Sequence, residues 1–350
     1  MYVPNESSDL ISRVVFDLER GARVEHEFPI GIMPRDTDGP HGIAVSPDGE
    51  FLYVTVAHGT PDGWLWKFRA GADSLVGRTA LGRFPATLTT TPDGQLLVVA
   101  NFNLHGDPAP SDLSIVYAPD LRELARIRTC VTPHGSRISA SGRFHYSVCS
   151  HSDQVIETSL SAYAISERFS VRPGGERLLD LADDGASAVA IGTAPGCYPT
   201  WVTPGVGARA DRFVYVTCNV AGQVLELDVT EWRVTRRFDT AGGPYNMAMT
   251  PDGHRLVVTL RGAQAIIILD LVSGEVLARE GTSQPFAHGV VISPDGRFAF
   301  VTNEGLGSVR GTLDVFDMED YRRVGSVELQ HQPGGIGLWT VGPVDAPDSR

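Results

Sequence analysis

The sequence predicts an all-β chain folded as a seven-bladed β-propeller. Three observations support this fold class: short apolar runs alternate with Gly- and Pro-rich turns, one strand-turn-strand pattern recurs, and the two chain ends supply complementary parts of a further repeat. The 350 residues include 38 glycines and 23 prolines, together with many Val, Ile, Thr, Tyr and Phe. This composition favours short strands over long helices. A repeat of about 40 to 50 residues is typical of propellers and solenoids.

The repeat consists of a strand, a tight turn and a second strand. Its clearest copy runs from Gly42 through Pro47-Asp48-Gly49 to Thr55. Equivalent anchor turns follow at Pro92-Asp93-Gly94, Ala140-Ser141-Gly142, Pro204-Gly205, Pro251-Asp252-Gly253 and Pro294-Asp295-Gly296. Six copies of the repeat therefore follow one another along the chain.

The seventh repeat is divided between the two ends of the chain. Gly334–Trp339 look like a first strand that lacks its second strand, while Met1–Glu6 match the second strand Phe300–Glu304. We therefore predict a split blade, in which N-terminal strands at about residues 2–27 close against a C-terminal strand at about 334–341. Such closure leaves no free sheet edge between the first and last blades.

The predicted domain organisation follows from this closure. Residues 1–341 form one propeller domain and residues 342–350 form a C-terminal tail. The third and fourth anchors are farther apart than their neighbours, and the surplus lies within residues 172–196. Because a connection between blades crosses the channel mouth, we predict that this insertion is a lid, with a short helix at Leu178–Asp184.

Two of the repeats carry a resemblance to a known family. The stretches Ala44–Thr55 and Ile292–Asn303, each with Ser-Pro-Asp-Gly followed by an apolar strand, resemble the YVTN-repeat propellers, a group that shares its fold with lactonase-type propellers. The resemblance spans nearly the whole chain. Its motif specifies turns and core strands, so the resemblance implies the fold. For function it implies lactone hydrolysis only as an expectation at the level of the family.

Two sets of repeat positions are predicted to line one mouth of the central channel. Six positions before the anchors stand His41, Ala86, His134, Tyr198, Tyr245, His288 and, in the split blade, Gly334. Just after the second strands stand His58, Asn103, His151, Asn219, Arg261, Glu304 and, in the split blade, Glu6. We expect these polar groups, which are far apart in sequence, to converge.

The converging histidines have two interpretations. Neutral imidazoles on one axis suit a borderline cation such as zinc or copper, which predicts a divalent metal held by His41, His134 and His288, with His151 or Glu304 in support. Alternatively, each imidazole hydrogen-bonds the backbone of a neighbouring blade and is structural. The spacing matches no local metal motif, so the metal hypothesis depends on the ring geometry alone.

The predicted catalytic residues are His134, Glu304, Arg261, Tyr198 and Tyr245. A histidine or glutamate would activate water, and Arg261 would polarise a carbonyl group or form a salt bridge with Glu304. The function they predict is a small-molecule enzyme, lactone hydrolase-like or a lyase or cyclase, assisted by a metal. The Pro-His-Gly repeats resemble those of streptogramin lyases. The alternative is a noncatalytic propeller that binds a ligand or another protein.

Composition and missing motifs exclude several other classes. The formal net charge of -13 and the lack of a basic stripe argue against a nucleic-acid partner. The sequence contains no P-loop and no G-x-G-x-x-G motif before a helix, so we expect no nucleotide cofactor. No apolar run is long enough for a membrane helix. Four widely spaced cysteines predict reduced, buried thiols. As written, the chain reads as cytoplasmic, or as secreted or periplasmic if a signal was trimmed, and its oligomeric state is left open.

Overall fold

A computed structural model describes residues 1–32, 36–58, 62–105 and 107–339, which form seven β-sheets arranged as blades around a central channel. The predicted seven-bladed β-propeller is confirmed. We number six blades in chain order and call the remaining one the split blade. None of the described helices is long and apolar enough to cross a membrane. The predicted tail at 342–350 lies outside the described residues.

Each numbered blade is an antiparallel sheet whose first strand in sequence lies at one edge. Blade 1 contains β4 (Pro40–Val45), β5 (Phe51–Val56), β6 (Trp64–Arg69) and β7 (Ser74–Ala80). Blade 2 contains β8 (Pro85–Thr90), β9 (Leu96–Asn101), β10 (Pro110–Tyr117) and β11 (Arg122–Val131). Blade 3 contains β12 (Pro133–Ile138), β13 (Phe144–Cys149), β14 (Gln154–Ser159), β15 (Ala164–Ser170) and β16 (Arg177–Leu178).

The remaining blades repeat this order. Blade 4 contains β17 (Pro199–Pro204), β18 (Phe213–Cys218), β19 (Gln223–Asp228) and β20 (Arg233–Asp239). Blade 5 contains β21 (Pro244–Met249), β22 (Arg255–Leu260), β23 (Ala265–Asp270) and β24 (Val276–Gly281). Blade 6 contains β25 (Ala287–Ile292), β26 (Phe298–Asn303), β27 (Thr312–Asp317) and β28 (Arg322–Glu328), and the split blade contains β1 (Tyr2–Asn5), β2 (Leu10–Asp17) and β3 (Gly21–Pro29).

The two ends of the chain meet in the split blade, as the sequence predicts. Tyr2 and Gly337 exchange two backbone hydrogen bonds of 2.9 Å, and Asn5 pairs with Pro333. The C-terminal segment forms these bridges rather than a continuous strand. A physical reason is its composition, since Pro333 has no N–H to donate and the glycines after it weaken a strand.

The anchor turns differ in blade 4. In five blades the turn ends on a glycine with positive φ, namely Gly49, Gly94, Gly142, Gly253 and Gly296. In blade 4 the chain instead passes through a 3-10 helix at Gly207–Arg209 before β18 begins. The anchor at Pro204 is therefore displaced, because this proline ends β17 rather than following it. As a result, the ring position that the sequence predicts by counting back from Pro204 is two residues too early in blade 4.

The insertion in blade 3 is folded differently from the prediction. Leu178 lies in the fifth strand β16, where it pairs with Phe169, and the helix α1 spans Ala186–Ala190 instead of Leu178–Asp184. Strand β16 therefore extends the outer edge of blade 3. Arg128 of β11 contacts Asp184 of the insertion at 2.8 Å. A lid role for residues 172–196 stays a prediction.

All four cysteines are paired, so the expectation of reduced thiols is wrong. Cys130 of β11 bonds to Cys149 of β13, which links blades 2 and 3. Cys197, in the connection to blade 4, bonds to Cys218 of β18. Spacing in sequence did not reveal these pairs, because the propeller brings the end of one strand beside the next blade.

Candidate functional site

The channel mouth is built from backbone positions that recur in every blade. The residue before each first strand has a left-handed backbone conformation, at Gly39, Phe84, Thr132, Tyr198, Gly243, Phe286 and Gln332. Its carbonyl oxygen accepts the backbone N–H of the residue directly after the second strand in that blade, as between Arg261 and Gly243 at 3.0 Å. Both sets of predicted site positions are thereby held at the same end of the channel.

The inner ring of the mouth consists of the second residue of the first strand in blades 1 to 6 and of the matching residue after the Pro333 bridge in the split blade: His41, Ala86, His134, Thr200, Tyr245, His288 and Gly334. Threonines of the preceding blade fix this ring, since the Thr55 hydroxyl donates to the Ala86 carbonyl at 3.0 Å and Thr217 does the same for Tyr245. Thr200 therefore takes the place predicted for Tyr198. Tyr198 precedes β17, and its ring lies 5.3 Å from that of His151.

The three predicted imidazoles do converge. The His41 ring centroid lies 5.9 Å from that of His288 and 6.4 Å from that of His134. His134 and His288 are almost completely buried. His151 is not brought to them: its Nδ1 lies 2.9 Å from the Thr132 hydroxyl, and none of its described contacts is with the other three imidazoles.

Glu6 of the split blade is the centre of one charged group. Its carboxylate lies 2.8 Å from His41 Nδ1 and 2.9 Å from His58 Nε2, and it also accepts a hydrogen bond from Gln332. Burial alone would raise the pKa of Glu6, but the charges and hydrogen bonds of His41 and His58 lower it well below the usual range. Burial opposes protonation of His41, yet Glu6 raises the pKa of His41 above its ordinary value.

Arg261 and Glu304 form a second charged group on the same rim. The guanidinium donates two hydrogen bonds to the carboxylate, the longer one at 2.8 Å. Glu304 also lies 3.7 Å from His288 Nε2, and burial raises the pKa of Glu304 despite the nearby arginine. Arg261 therefore forms the salt bridge with Glu304 that the sequence predicts as its alternative role.

Tyr245 connects the inner ring to this group. Its hydroxyl lies 3.2 Å from His288 Nε2, and the Arg261 guanidinium lies 4.9 Å from the centre of its ring. Burial raises the pKa of the Tyr245 phenol, so the hydroxyl keeps its proton; whether it donates to His288 Nε2 or accepts from it depends on the tautomer of His288. Burial and the positive charge of Arg261 lower the pKa of His288 well below its ordinary value.

His134 is held as a neutral imidazole of defined tautomer. Its Nδ1 lies 2.9 Å from the carbonyl oxygen of Thr200 in blade 4, so Nδ1 carries the proton and Nε2 keeps a lone pair. Burial lowers the pKa of His134 to about 3. The hydrogen bond to a neighbouring blade's backbone, which the structural interpretation predicts, is thus present for His134, but the same contact leaves Nε2 unprotonated with a free lone pair.

The described residues do not fit the predicted metal site well. They contain no group of three or more His, Cys, Asp or Glu side chains arranged to hold a metal ion. Glu6 favours a cationic His41, and Arg261 adds a further positive charge close to His288. Both charges oppose a divalent cation at this point. We therefore derive no chemical step through a metal.

Sequence reasoning missed several participants. Thr200 was hidden by the irregular turn of blade 4, which displaced the count by two residues. His105 received no role, yet its Nε2 lies 3.3 Å from His58 Nδ1 and its ring packs 5.0 Å from that of Phe84. Alignment of the prolines that begin most first strands would have identified Thr200, whereas nothing in the repeat indicates His105.

The comparisons with known proteins establish the fold only. No known protein family and no curated protein matches the chain. Hydrazine synthase of Kuenenia stuttgartiensis is similar in structure, with TM-score 0.68 and 18% identity over 88% of this chain and 93% of that one. The dihydro-heme d1 dehydrogenase NirN in complex with DHE has TM-score 0.63 and 17% identity over 95% of this chain and 74% of that one. The resemblance to YVTN-repeat and lactonase propellers gains no support from them.

Proposed function

We propose that the mouth is the active site of a small-molecule enzyme that uses His134 as a general base, in a lactone hydrolase-like or lyase-like reaction. The observation that carries the proposal is the contact between His134 Nδ1 and the Thr200 carbonyl, which fixes the lone pair on Nε2. A base with an assigned tautomer and a hydroxyl donor nearby are standard components of acyl-transfer and elimination sites. The His134 and Tyr245 rings lie 5.9 Å apart.

For a lactone, the proposed steps balance without a further reactant. His134 Nε2 takes a proton from water as the water oxygen attacks the ring carbonyl carbon. The Tyr245 hydroxyl turns from His288 to donate to the developing oxyanion, and the ring C–O bond breaks. The imidazolium then returns the proton to the leaving alkoxide, which gives a hydroxy acid. In an elimination, the same nitrogen would remove a carbon-bound proton.

The remaining charged groups would position the substrate. Arg261 lies beside the Tyr245 ring, and a substrate carboxylate would compete with Glu304 for its guanidinium. The two similar structures described above bear the names of enzymes, which is compatible with this proposal. The two disulfides further support a place in an oxidising compartment, secreted or periplasmic, over the cytoplasm.

A second candidate function is a noncatalytic binding propeller. The observation that favours it is that both glutamates at the mouth already have partners, Glu6 with His41 and His58, and Glu304 with Arg261. Such a saturated polar face could present a rigid surface to another molecule. The pairs of Glu6 would tie the split blade to blade 1, and the pair of Glu304 with Arg261 would tie blade 6 to blade 5, without any chemistry.

The test is a substrate screen combined with matched variants. A panel of small lactones is followed by proton release, and unsaturated products by ultraviolet absorbance. We expect turnover by the wild type, a loss of about 100-fold or more in His134→Gln, and a smaller loss in Tyr245→Phe. His254→Gln is the control, because His254 is exposed and distant from the mouth.

The pH profile distinguishes this base from an ordinary histidine. Because burial lowers the pKa of His134 to about 3, activity should persist well below pH 6.5 instead of falling there. No turnover on the panel, or full activity in His134→Gln, would contradict the proposal. Stoichiometric zinc or copper in protein purified without chelator would favour the metal hypothesis instead.

A further inference from the structure

Below the mouth, the channel contains a small cavity of about 40 Å³. Its lining includes His41, His288, Trp201, Asn246 and Arg137, and none of the residues that line it is acidic. On this measure a space of roughly 10–15 Å³ is enough for one water molecule, so the cavity has room for a small molecule or ion. The general base His134 is not part of this lining.

Three nitrogen atoms of the lining are fully buried and lack a hydrogen-bond partner among the described residues: His41 Nε2, His288 Nδ1 and Trp201 Nε1. The indole nitrogen is always a donor. In the tautomer in which Tyr245 donates to His288 Nε2, the proton of His288 is on Nδ1. His41 binds Glu6 through Nδ1, and in the cationic form that Glu6 favours, its Nε2 also carries a proton.

Two further donors complete the set. Asn246 Oδ1 accepts the backbone N–H of Met247, which leaves the amide nitrogen of Asn246 without a described partner. The Arg137 guanidinium lies 5.0 Å from the Trp201 ring and donates to the Ser136 carbonyl, and no carboxylate of the described residues pairs with it. Its charge is therefore not neutralised by the part of the chain that the structure describes.

These donor residues are also exceptions to the repeat. At the third position of the first strand, glycine stands in four blades, at Gly42, Gly135, Gly289 and Gly335, whereas Trp201 and Asn246 occupy it in blades 4 and 5. At the fifth position, Arg137 of blade 3 is the one charged residue. The other blades have an uncharged residue there: Ala44, Thr89, Thr203, Ala248, Val291 and Gly337. Departures from a repeat that converge on one cavity indicate a ligand rather than a requirement of the fold.

We propose that this cavity binds one small monovalent anion, such as chloride, bromide, formate or nitrate. Five side chains with nitrogen donors, one of them a guanidinium without a carboxylate partner among the described residues, belong to the lining, and none of the lining residues is acidic. Water accepts only two hydrogen bonds and would leave the other donors unpaired. A metal cation would face Arg137 and N–H groups. The proposal is independent of any reaction at the mouth.

The first experiment uses the wild-type protein. Protein freed of halide in sodium gluconate, an anion too large for the cavity, is titrated with bromide or chloride at constant ionic strength. We expect saturable quenching of tryptophan fluorescence by bromide, a saturable rise in melting temperature with either halide, and one anomalous bromide peak beside Trp201 in crystals. A peak seen only in crystals, without saturation in solution, would overturn the proposal.

The second experiment assigns the binding to Arg137. Arg137→Met keeps the apolar, unbranched stem of the side chain and removes the guanidinium, and we expect at least about a tenfold loss of anion affinity. Arg143→Met is the matched control, because Arg143 belongs to the same blade, also lies over an aromatic ring and is exposed. Equal affinities of the two variants would overturn the proposal. If Arg137→Met does not fold, Trp201→Phe, which removes a single donor, replaces it, and unchanged affinity would count equally against the site.

Discussion

At the scale of single residues, the same sequence motif acquires opposite properties. His41 and His134 both stand in Pro-His-Gly, so the sequence could predict that they share a ring position. It could not predict their charge. His41 meets a carboxylate of the split blade, Glu6, which raises its pKa, while His134 meets only the Thr200 carbonyl and is held neutral by burial. Protonation here depends on contacts across blades.

A prediction about Glu6 follows from this contrast. Folding lowers the pKa of Glu6 from 4.5, so its contribution to stability exists above that pH and is lost on acidification. Folding raises the pKa of His41 from 6.5, so its contribution is complete below 6.5 and disappears as pH rises through the higher value. The pair therefore stabilises most between about pH 4.5 and 6.5.

Glu6→Gln should lower the free energy of unfolding by about 3 kcal/mol near pH 5.5, because the buried cationic His41 loses its partner. The loss should be smaller at alkaline pH, where His41 is neutral. The pKa of His41, followed by NMR, should fall. Urea denaturation at several pH values measures the first effect, with the exposed Glu19→Gln as control. A loss of stability that does not vary with pH, or an unchanged His41 pKa, would contradict this account.

At the scale of elements, strand order was readable from the repeat, but register in blade 4 was not. The dipeptide Pro204-Gly205 imitates an anchor turn, whereas the pairing of Pro199 with Cys218 fixes where β17 begins. The helix predicted at Leu178–Asp184 failed for a similar reason, since the edge of blade 3 offered Leu178 a partner strand. Tertiary pairing decided both cases against local sequence.

The glycine after each ring histidine has a specific structural purpose. A Cβ on Gly135 would lie 2.3 Å from the Thr200 carbonyl oxygen and 2.6 Å from the Trp201 Cα, both backbone atoms of blade 4. Neither atom can move without separating the blades. The close approach is also what brings the Thr200 carbonyl within reach of His134.

Gly135→Ala should therefore destabilise the protein by about 2 to 3 kcal/mol, as expected for overpacking, and should raise the pKa of His134 by weakening its burial. Gly281→Ala, in the outer strand β24, has nothing within 4 Å of the added carbon and is the control. Chemical denaturation and NMR titration measure the two effects. Equal stability of the two variants would mean that blades 3 and 4 are less tightly packed than described.

At the scale of the whole molecule, ring closure was the most predictable feature and the covalent cross-links were the least. Tyr2 and Gly337 meet because each end alone is an incomplete repeat, which the sequence shows directly. The cysteine pairs belong to neighbouring positions around the ring. Cys149 ends β13 two residues before His151, and Cys218 ends β18 one residue before Asn219, so both disulfides stabilise the end of the channel that carries the site.

The two disulfides should contribute measurably to stability and to the geometry of the mouth. They close loops with sequence separations of 19 and 21 residues, for which the loss of unfolded-state entropy predicts about 3 kcal/mol each. We expect the double variant Cys130→Ser/Cys149→Ser to unfold at lower urea concentration than the wild type, and dithiothreitol to lower the wild type further, because it also opens Cys197–Cys218. A peptide map of unreduced protein should show the two pairs directly. Quantitative alkylation of denatured, unreduced protein would show instead that the thiols are free, and would remove the support for an oxidising compartment.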